Sequence, residues 1–233
     1  MDSQSHQPIR LNKFLAERLG VSRREADDLI AAGKIFVNQK TAALGARIDK
    51  NDKVCYNNKI VPFDTEFLYL AFHKPVGYVC SRRVQGDTPT LYELLPKNYQ
   101  KLKTVGRLDK DSSGLILLTN DGDFTFQMTH PKFHKEKVYQ VMLDRPLEPL
   151  HQQMISDYGV MLEDGPSKFI VLKNENVVPP QAGYTILLSE GRNRQIRRTF
   201  AALGYKVTKL HRTGFGKYQL SGLKPGEYVI IKP

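Results

Sequence analysis

The feature that most constrains this chain is an apolar strand with a charged loop in front of it. Residues 115–118 form an apolar run typical of a buried strand, and residues 120–122, Asn-Asp-Gly, end it as a turn. The preceding residues 108–113 supply two carboxylates, Asp109 and Asp111, with a cation and two hydroxyl groups. A charged side chain at the mouth of a buried strand is either a loop cap or a reactive group.

The net charge bounds the choice of partner. The chain has 233 residues, with 35 Lys and Arg against 24 Asp and Glu, so its formal net charge is +11. A positive potential of this size attracts polyanions, which makes nucleic acid the first partner to consider. The alternative is a basic surface that serves only solubility.

Cysteine usage and hydropathy favour an intracellular protein. Cys55 and Cys80 show no CxxC spacing, which predicts no disulfide framework and a reducing compartment. Residues 1–10 lack an apolar segment typical of a secretory signal. No apolar run approaches the roughly 18 residues of a membrane span. We therefore expect a soluble cytoplasmic protein that has no contact with a membrane.

Residues 8–60 are predicted to form a small basic module. Leu11, Phe14, Leu15 and Leu19 recur at the spacing of one helical face. Residues 22–25, Ser-Arg-Arg-Glu, form a capping box for a second helix, and a short strand is expected at 35–38. Eleven Lys and Arg against six Asp and Glu leave the module at +5. The alternative is a helical hairpin whose charges are simply solvated.

The rest of the chain has a different pattern. Residues 61–66 are expected to be a linker, and residues 67–233 a second domain in which strands dominate. Strands are predicted at 68–72, 138–143, 184–188, 206–210 and 228–231, and helices at 149–156 and 194–203. Mixed elements with few long helices favour an α+β fold around a mixed, mostly antiparallel sheet.

Several common types of active site are excluded. The sequence has no GxSxG elbow, no P-loop and no complete dinucleotide-binding glycine pattern. His130 and His134 have helical metal-ligand spacing, but Pro131 interrupts the helix that would align them, so no metal site is predicted. Any chemistry must then come from carboxylate, tyrosine and arginine side chains without a cofactor.

Three segments carry the candidate chemistry. Asp109 is the candidate nucleophile, although a turn-capping role is the alternative. Tyr139 lies on the same strand face as Val141, which predicts that it is buried, as a core tyrosine also would be. Residues 190–198 join a strand to a helix, with Asn193 as the predicted N-cap. Their arginines suit phosphate or a carboxylate, and a solvated basic helix is the alternative.

These motifs together resemble a known family. Residues 8–60 are similar to an S4-type RNA-binding module, and the later motifs resemble the RsuA/RluB/RluE/RluF family of bacterial ribosomal RNA pseudouridine synthases. The motifs that carry the resemblance are residues 10–14, 22–26, 33–38, 74–81, 106–109, 113–115, 137–139 and 194–198. The resemblance implies a pseudouridine synthase domain behind the S4 module, with no cofactor and no metal.

The resemblance also implies roles for individual residues. Asp109 matches the catalytic aspartate, which attacks the nucleoside at C6 of uracil or at C1′ of ribose. Arg197 matches the arginine that pairs with this aspartate. Tyr139 matches the residue that stacks on the target base and moves a proton, and Arg107 matches one that fills the place of the displaced base. Further RNA contacts are expected from Lys74, Arg192, Arg194, Arg198, Arg10, Lys13, Arg23, Arg24 and Lys34.

The implied partner is ribosomal RNA within a small-subunit assembly particle, bound by a monomer. The Gly-Tyr-Val-Cys-Ser run at 77–81 and the absence of a basic C-terminal extension resemble the small-subunit branch of the family, which implies uridine 516 of 16S RNA as the target. Residues 192–198 and 110–115 are more similar to the large-subunit branch, which makes 23S RNA the alternative. A non-catalytic S4-type RNA-binding protein is the remaining alternative.

Overall fold

The chain divides into two compact units. The computed structural model describes residues 8–64, 66–82, 86–174 and 182–233. Residues 1–7, part of the segment in which no secretory signal is expected, and residue 65 of the predicted linker lie outside this description. One unit extends to residue 68 and includes 120–122, and the other comprises 69–119 and 123–233. No helix among the described residues has the length and apolarity to cross a membrane.

The first unit packs two helices over small sheets. Helix α1 (Leu11–Arg18) buries Leu11, Phe14 and Leu15, as the spacing predicts. The predicted capping box of helix α2 (Arg23–Ala31) is confirmed, because the Glu25 amide donates to Ser22 Oγ at 3.1 Å and the Ser22 amide donates to the Glu25 carboxylate at 2.6 Å. The apolar faces of both helices meet in one core with Ile35, Ile48, Val54 and Val61.

The strands of the first unit are short and antiparallel. Strand β1 pairs with β4, and the order of the other sheet is β3-β2-β5-β6. The strands are β1 (Ile9–Arg10), β2 (Ile35–Val37), β3 (Lys40–Thr41), β4 (Arg47–Ile48), β5 (Val54–Tyr56) and β6 (Lys59–Ile60).

The second unit is built on one large sheet. Its main path is β13-β14-β10-β15-β9-β7-β17, with β8 paired to β9 and β16 paired to β15, and a separate β11-β12 hairpin. The strands are β7 (Tyr69–Lys74), β8 (Lys103–Val105), β9 (Ser113–Thr119), β10 (Lys137–Leu143), β11 (Val160–Leu162), β12 (Gly165–Ser167), β13 (Ile170–Asn174), β14 (Ala182–Leu188), β15 (Val207–Phe215), β16 (Tyr218–Gln219) and β17 (Tyr228–Ile230).

The pairing directions confirm the predicted fold class. Strands β9 and β15 run parallel, whereas the other neighbours along this path are antiparallel. Strand β9 is buried along its whole length, as the apolar run predicts. The prediction for β15 was too short, because the strand continues beyond residue 210 to Phe215. It is paired on both sides, by β10 and β9, so partner strands carry it through the polar His211-Arg212-Thr213 stretch.

The helices of the second unit are short. They are α3 (Gly122–Thr129), α4 (Pro149–Gln153) and α5 (Gln195–Ala202), with single turns of 3₁₀-helix at Leu91–Leu94 and Pro131–Phe133. The helix predicted at 149–156 ends early and passes into a π-helical turn at Met154–Tyr158. The helix predicted at 194–203 is confirmed as α5 to within a residue at each end.

Candidate active site

The loop that carries Asp109 is fastened to the chain just after β7. The Gly77 amide donates to the carbonyl of Lys110 at 2.8 Å. The Leu108 amide donates to Cys80 Sγ at 3.4 Å, and the Cys80 thiol donates to the Leu108 carbonyl at 3.3 Å. Burial raises the pKa of this thiol, so it stays protonated as a donor. The loop is therefore held by backbone contacts on both sides of Asp109.

Lys74 has a structural position, which corrects its predicted role as an RNA contact. The side chain is fully buried, and its ammonium donates to the carbonyls of Ser112 at 2.6 Å and Pro75 at 3.0 Å. Burial lowers the pKa of Lys74, against the opposing effect of Cys80, Asp109 and Asp111. A buried ammonium cannot reach a phosphate of RNA. Its sequence position, at the end of an apolar strand, did not reveal that the carbonyls of two loops converge on it.

We expect Lys74→Met to destabilise the protein by roughly 1–3 kcal/mol, since two buried carbonyls lose their donor. Urea denaturation followed by circular dichroism measures this change. The control is Lys110→Met, in the same loop, whose exposed ammonium donates to the side chain Thr88 Oγ1 at 3.1 Å. It should change stability by less than about 0.5 kcal/mol. Equal effects of the two substitutions would contradict a structural role for Lys74.

Asp109 is paired with Arg194, and this differs from the prediction. Nη1 of Arg194 lies 3.6 Å from Asp109 Oδ2, and the same guanidinium donates to both carboxylate oxygens of Asp111 at 3.1 Å. Arg197, the predicted partner of Asp109, forms its ion pair with Asp111 instead, at 3.3 Å. Arg197 also donates to the carbonyls of Asp111 and Val207, each at 2.9 Å.

The start of helix α5 explains which arginine reaches the loop. Arg194, not Asn193, occupies the N-cap position, in the left-handed region with φ 46°, and no side chain caps the helix. Because Arg194 does not have helical backbone angles, its side chain does not follow the direction of the helical residues and instead reaches both aspartates. Asn193 instead uses its carbonyl to accept a hydrogen bond from Arg198 Nε at 2.9 Å.

Carboxylates of the chain itself neutralise the other arginines of this segment. Asp164 accepts hydrogen bonds from Arg192 at 3.0 Å and from both terminal nitrogens of Arg198 at 2.8 and 3.1 Å. Arg192 also donates to the carbonyls of Gly165 and Pro166. The arginine cluster that the sequence assigned to RNA therefore also joins α5 to the β11-β12 hairpin.

Asp111 is more than a turn residue, because it is the main electrostatic link between the loop and α5. Partial burial acts to raise its pKa, but the hydrogen bond from Arg194 and the charges of Arg197 and Arg194 outweigh burial and lower it. Burial lowers the pKa of Arg197. Asp111 thus stays ionised and holds both guanidinium groups beside Asp109.

A cavity of about 260 Å³ lies in front of this loop. Asp109, Arg194 and Tyr139 on β10 all line it. Tyr139 is buried, as predicted, and pairs across the sheet with Arg212 of β15 and Ile186 of β14. Arg107 also lines the cavity and is exposed. The structure thus brings the predicted Asp109 and Tyr139 to one cavity of nucleobase size.

Sequence reasoning missed two cationic residues of this cavity, Lys137 and Arg212. Lys137 pairs with Phe215, and Arg212 pairs with Tyr139, so all four side chains share one face of the sheet. Arg212 lies beyond the predicted end of its strand, which is why it was not recognised. The sequence signal that could have revealed it is the two-residue spacing of Leu210, Arg212 and Gly214. This spacing continues the strand pattern beyond residue 210 and places these residues on one face.

The predicted RNA contacts of the first unit lie at its surface. Arg10, Arg23, Arg24 and Lys34 are exposed, and Lys13 is partly exposed. In the described residues, no group of three or more His, Cys, Asp or Glu side chains is arranged to hold a metal ion.

Comparison with known proteins agrees with this geometry. Residues 68–202 match the family model of RNA pseudouridylate synthases, and residues 9–61 match that of the S4 domain. The ribosomal small subunit pseudouridine synthase A of Pasteurella multocida is 38% identical, with 94% of each chain covered. The ribosomal large subunit pseudouridine synthase B of Bacillus subtilis is 33% identical, with 96% of this chain and 92% of the relative covered.

A solved pseudouridylate synthase structure superimposes with a TM-score of 0.68. It is 32% identical in sequence, and 96% of each chain is covered. Family model, relatives and fold agree over both units of the chain. The chain therefore belongs to the RsuA/RluB/RluE/RluF family of RNA pseudouridylate synthases.

Proposed function

We propose that this enzyme isomerises uridine 516 of 16S ribosomal RNA to pseudouridine, with Asp109 as the nucleophile. The observation that carries the proposal is the position of Asp109 at a cavity lined also by Tyr139, with Arg194 at 3.6 Å from its carboxylate. The exposed fraction of the Asp109 side chain is 28%, so its carboxylate is reachable from the cavity.

The proposed reaction is balanced without a cofactor. The N1–C1′ bond of uridine breaks, a C5–C1′ bond forms, and one proton leaves C5 while N1 gains one. Asp109 forms a transient bond to the nucleoside, at C6 of the base or at C1′ of the ribose, and leaves with the bonding electrons. No oxidant or reductant is needed.

The target base must enter the cavity before it can react. Moving a base out of its stack costs a few kcal/mol, and stacking on an aromatic side chain offsets part of this cost. Tyr139 supplies such a ring at the cavity wall. The exposed Arg107, at the rim, is placed to fill the position that the base leaves.

The choice of ribosomal RNA follows from the relatives. The small subunit synthases of Pasteurella multocida and Haemophilus influenzae are 38% and 36% identical, and a large subunit synthase of Pseudomonas aeruginosa is 35% identical. Because the last of these relatives is a large subunit synthase of similar identity, 23S RNA remains the alternative substrate. Family membership makes the non-catalytic RNA-binding alternative unnecessary.

Mapping pseudouridines in both ribosomal RNAs of a strain lacking this protein tests the substrate. We expect loss of one pseudouridine, at position 516 of 16S RNA, and its return when the gene is restored. Restoration with the Asp109→Asn variant should leave the site unmodified. Loss of a 23S site in place of the 16S site would contradict the small-subunit assignment.

We further propose that residues 8–60 are the RNA-binding module, 61–66 a linker and 67–233 the catalytic domain. The enzyme is then a monomer that acts in the cytoplasm on RNA within a small-subunit assembly particle. The S4 match at 9–61 and the cavity in the second unit support this division.

Replacing Arg23, Arg24 and Lys34 together with Gln should weaken RNA binding and reduce the slope of log affinity against log salt by about 2–3, since three phosphate contacts are lost. Filter binding over a range of salt concentrations measures the slope. The control removes the same charge from other exposed positions of the same module, with Gln at Lys40 and Lys59 on strands and at Lys50 in a turn. An equal slope change in both variants would contradict a specific RNA-binding face at Arg23, Arg24 and Lys34.

A further inference from the structure

Lys137 and Arg212 are two cations in the lining of the cavity. Among the ion pairs of the described residues, none includes either side chain. Arg212 is only 2% exposed, and its Nε donates to the Leu115 carbonyl at 2.7 Å. Its Nη2 is buried and has no hydrogen-bond partner within the part of the chain that the structure describes. A buried guanidinium nitrogen without an acceptor is costly, and Arg212 lies in the cavity wall together with the partly exposed ammonium side chain of Lys137.

The sheet holds these two cations side by side. Lys137 Nζ lies 5.2 Å from the centre of the Phe215 ring, and Arg212 Cζ lies 5.0 Å from the same centre. Lys137 Nζ also donates to the Lys135 carbonyl at 3.1 Å. Tyr139 is between them in register, two residues after Lys137 and directly across from Arg212. The cations therefore flank the ring on which the target base is proposed to stack.

The charge of the cavity is unbalanced at this wall. Five lining residues are cationic and two are acidic, and both carboxylates already have arginine partners. Asp109 is paired with Arg194, and Glu190 lies 3.4 Å from Arg192 Nη2. Because neither carboxylate forms an ion pair with Lys137 or Arg212 in the described residues, these two charges can act on a molecule that enters the cavity.

We propose that Lys137 and Arg212 form an anion subsite that binds the carbonyl oxygens of the uracil ring while the ring carries negative charge. This inference rests on the proposed function. When the N1–C1′ bond breaks, its electrons remain on uracil and are delocalised onto O2 and O4, and they return when C5 bonds to C1′. Cations fixed in advance around these oxygens stabilise that state more than neutral uridine. Asp109 is then the nucleophile, and this pair binds the base.

Lys137 has a further property that makes the subsite measurable. Burial, together with the charge of Arg212 on β15, lowers the pKa of Lys137 to about 8, although Glu190 beyond β14 acts in the opposite direction. The ammonium is protonated below this pKa and neutral above it. The single-turnover rate should therefore fall as pH rises through about 8, and Lys137→Arg, which does not titrate there, should remove this fall.

The experiment uses the full-length enzyme and an RNA transcript that contains the target. Lys137→Gln should lower the single-turnover rate roughly 10²-fold while RNA affinity stays unchanged, since one preorganised donor to a developing anion is lost. Lys137→Arg should restore most of the rate. The control Lys173→Gln removes an exposed lysine of β13, outside the cavity, and should behave as wild type. Thermal unfolding shows whether each variant is folded.

Ligand competition identifies the anion. Barbiturate, a pyrimidine that is anionic at neutral pH, should inhibit wild type at least roughly 10-fold more tightly than the neutral dihydrouracil, and Lys137→Gln should erase the difference. Inhibition by inorganic phosphate equal to that by barbiturate would assign the pair to a backbone phosphate and overturn the proposal. So would a wild-type rate and pH profile in Lys137→Gln. Failure of wild type to form any pseudouridine would instead contradict the proposed function.

Discussion

Asp109→Asn should lower pseudouridine formation by at least roughly 10³-fold, because an amide cannot replace the carboxylate as nucleophile. The affinity for RNA should stay within about 2-fold, since Asn has nearly the same shape and the basic surface is unchanged. Single-turnover assays on the transcript and filter binding measure the two quantities separately. Loss of rate without loss of affinity is the expected signature of a chemical role.

The matched control for this prediction is Asp111→Asn, two residues further along the same loop. Asp111 holds Arg194 and Arg197, so its replacement should misplace the arginines and lower the rate by roughly 10-fold. Wild-type product from Asp109→Asn, or a larger loss in Asp111→Asn than in Asp109→Asn, would reverse the assignment of the nucleophile. This comparison separates the two carboxylates that the sequence presents as equals.

Gly114→Ala should be among the most destabilising single substitutions in the second unit. Gly114 has φ +111°, and a Cβ added there would lie 2.1 Å from the carbonyl oxygen of Arg212 and 2.6 Å from its amide nitrogen. These are backbone atoms of the paired strand β15, so a side-chain rotation cannot relieve the clash. Strands β9 and β15 would have to separate, at a cost of roughly 3–5 kcal/mol.

Urea denaturation of Gly114→Ala measures this cost, and Gly191→Ala is its control. A Cβ at Gly191 would meet Lys137 Cε at an ordinary 3.8 Å, so its effect on stability should stay within about 0.5 kcal/mol. A loss below about 1 kcal/mol in Gly114→Ala would show that the two strands can shift apart at little cost. Because β9 and β15 carry the Asp109 loop and Arg212, any folded Gly114→Ala protein should also be slow.

The sequence pattern correctly predicted those elements whose stabilising contacts are between residues close together in the chain. The capping box at Ser22 and Glu25 and the burial of Phe14 depend on residues a few positions apart, and both predictions are confirmed. Strand β13 was missed because its apolar and polar residues alternate only weakly. It is stabilised as a strand by its pairing with β14. The part of β15 beyond residue 210 was missed for the same reason.

The sequence by itself determined the fold class, the family and the motifs that bear the candidate nucleophile and aromatic residue. Only the tertiary structure decided how the charges are paired. Lys74 is buried under the loop, Arg194 reaches Asp109, Arg197 binds Asp111, and Nη2 of Arg212 has no hydrogen-bond partner among the described residues. Each of these outcomes depends on backbone carbonyls and carboxylates far away in the chain, which sequence spacing cannot reveal. A sequence motif shows which charged side chains are present, whereas the packing around a buried charge decides which group it pairs with.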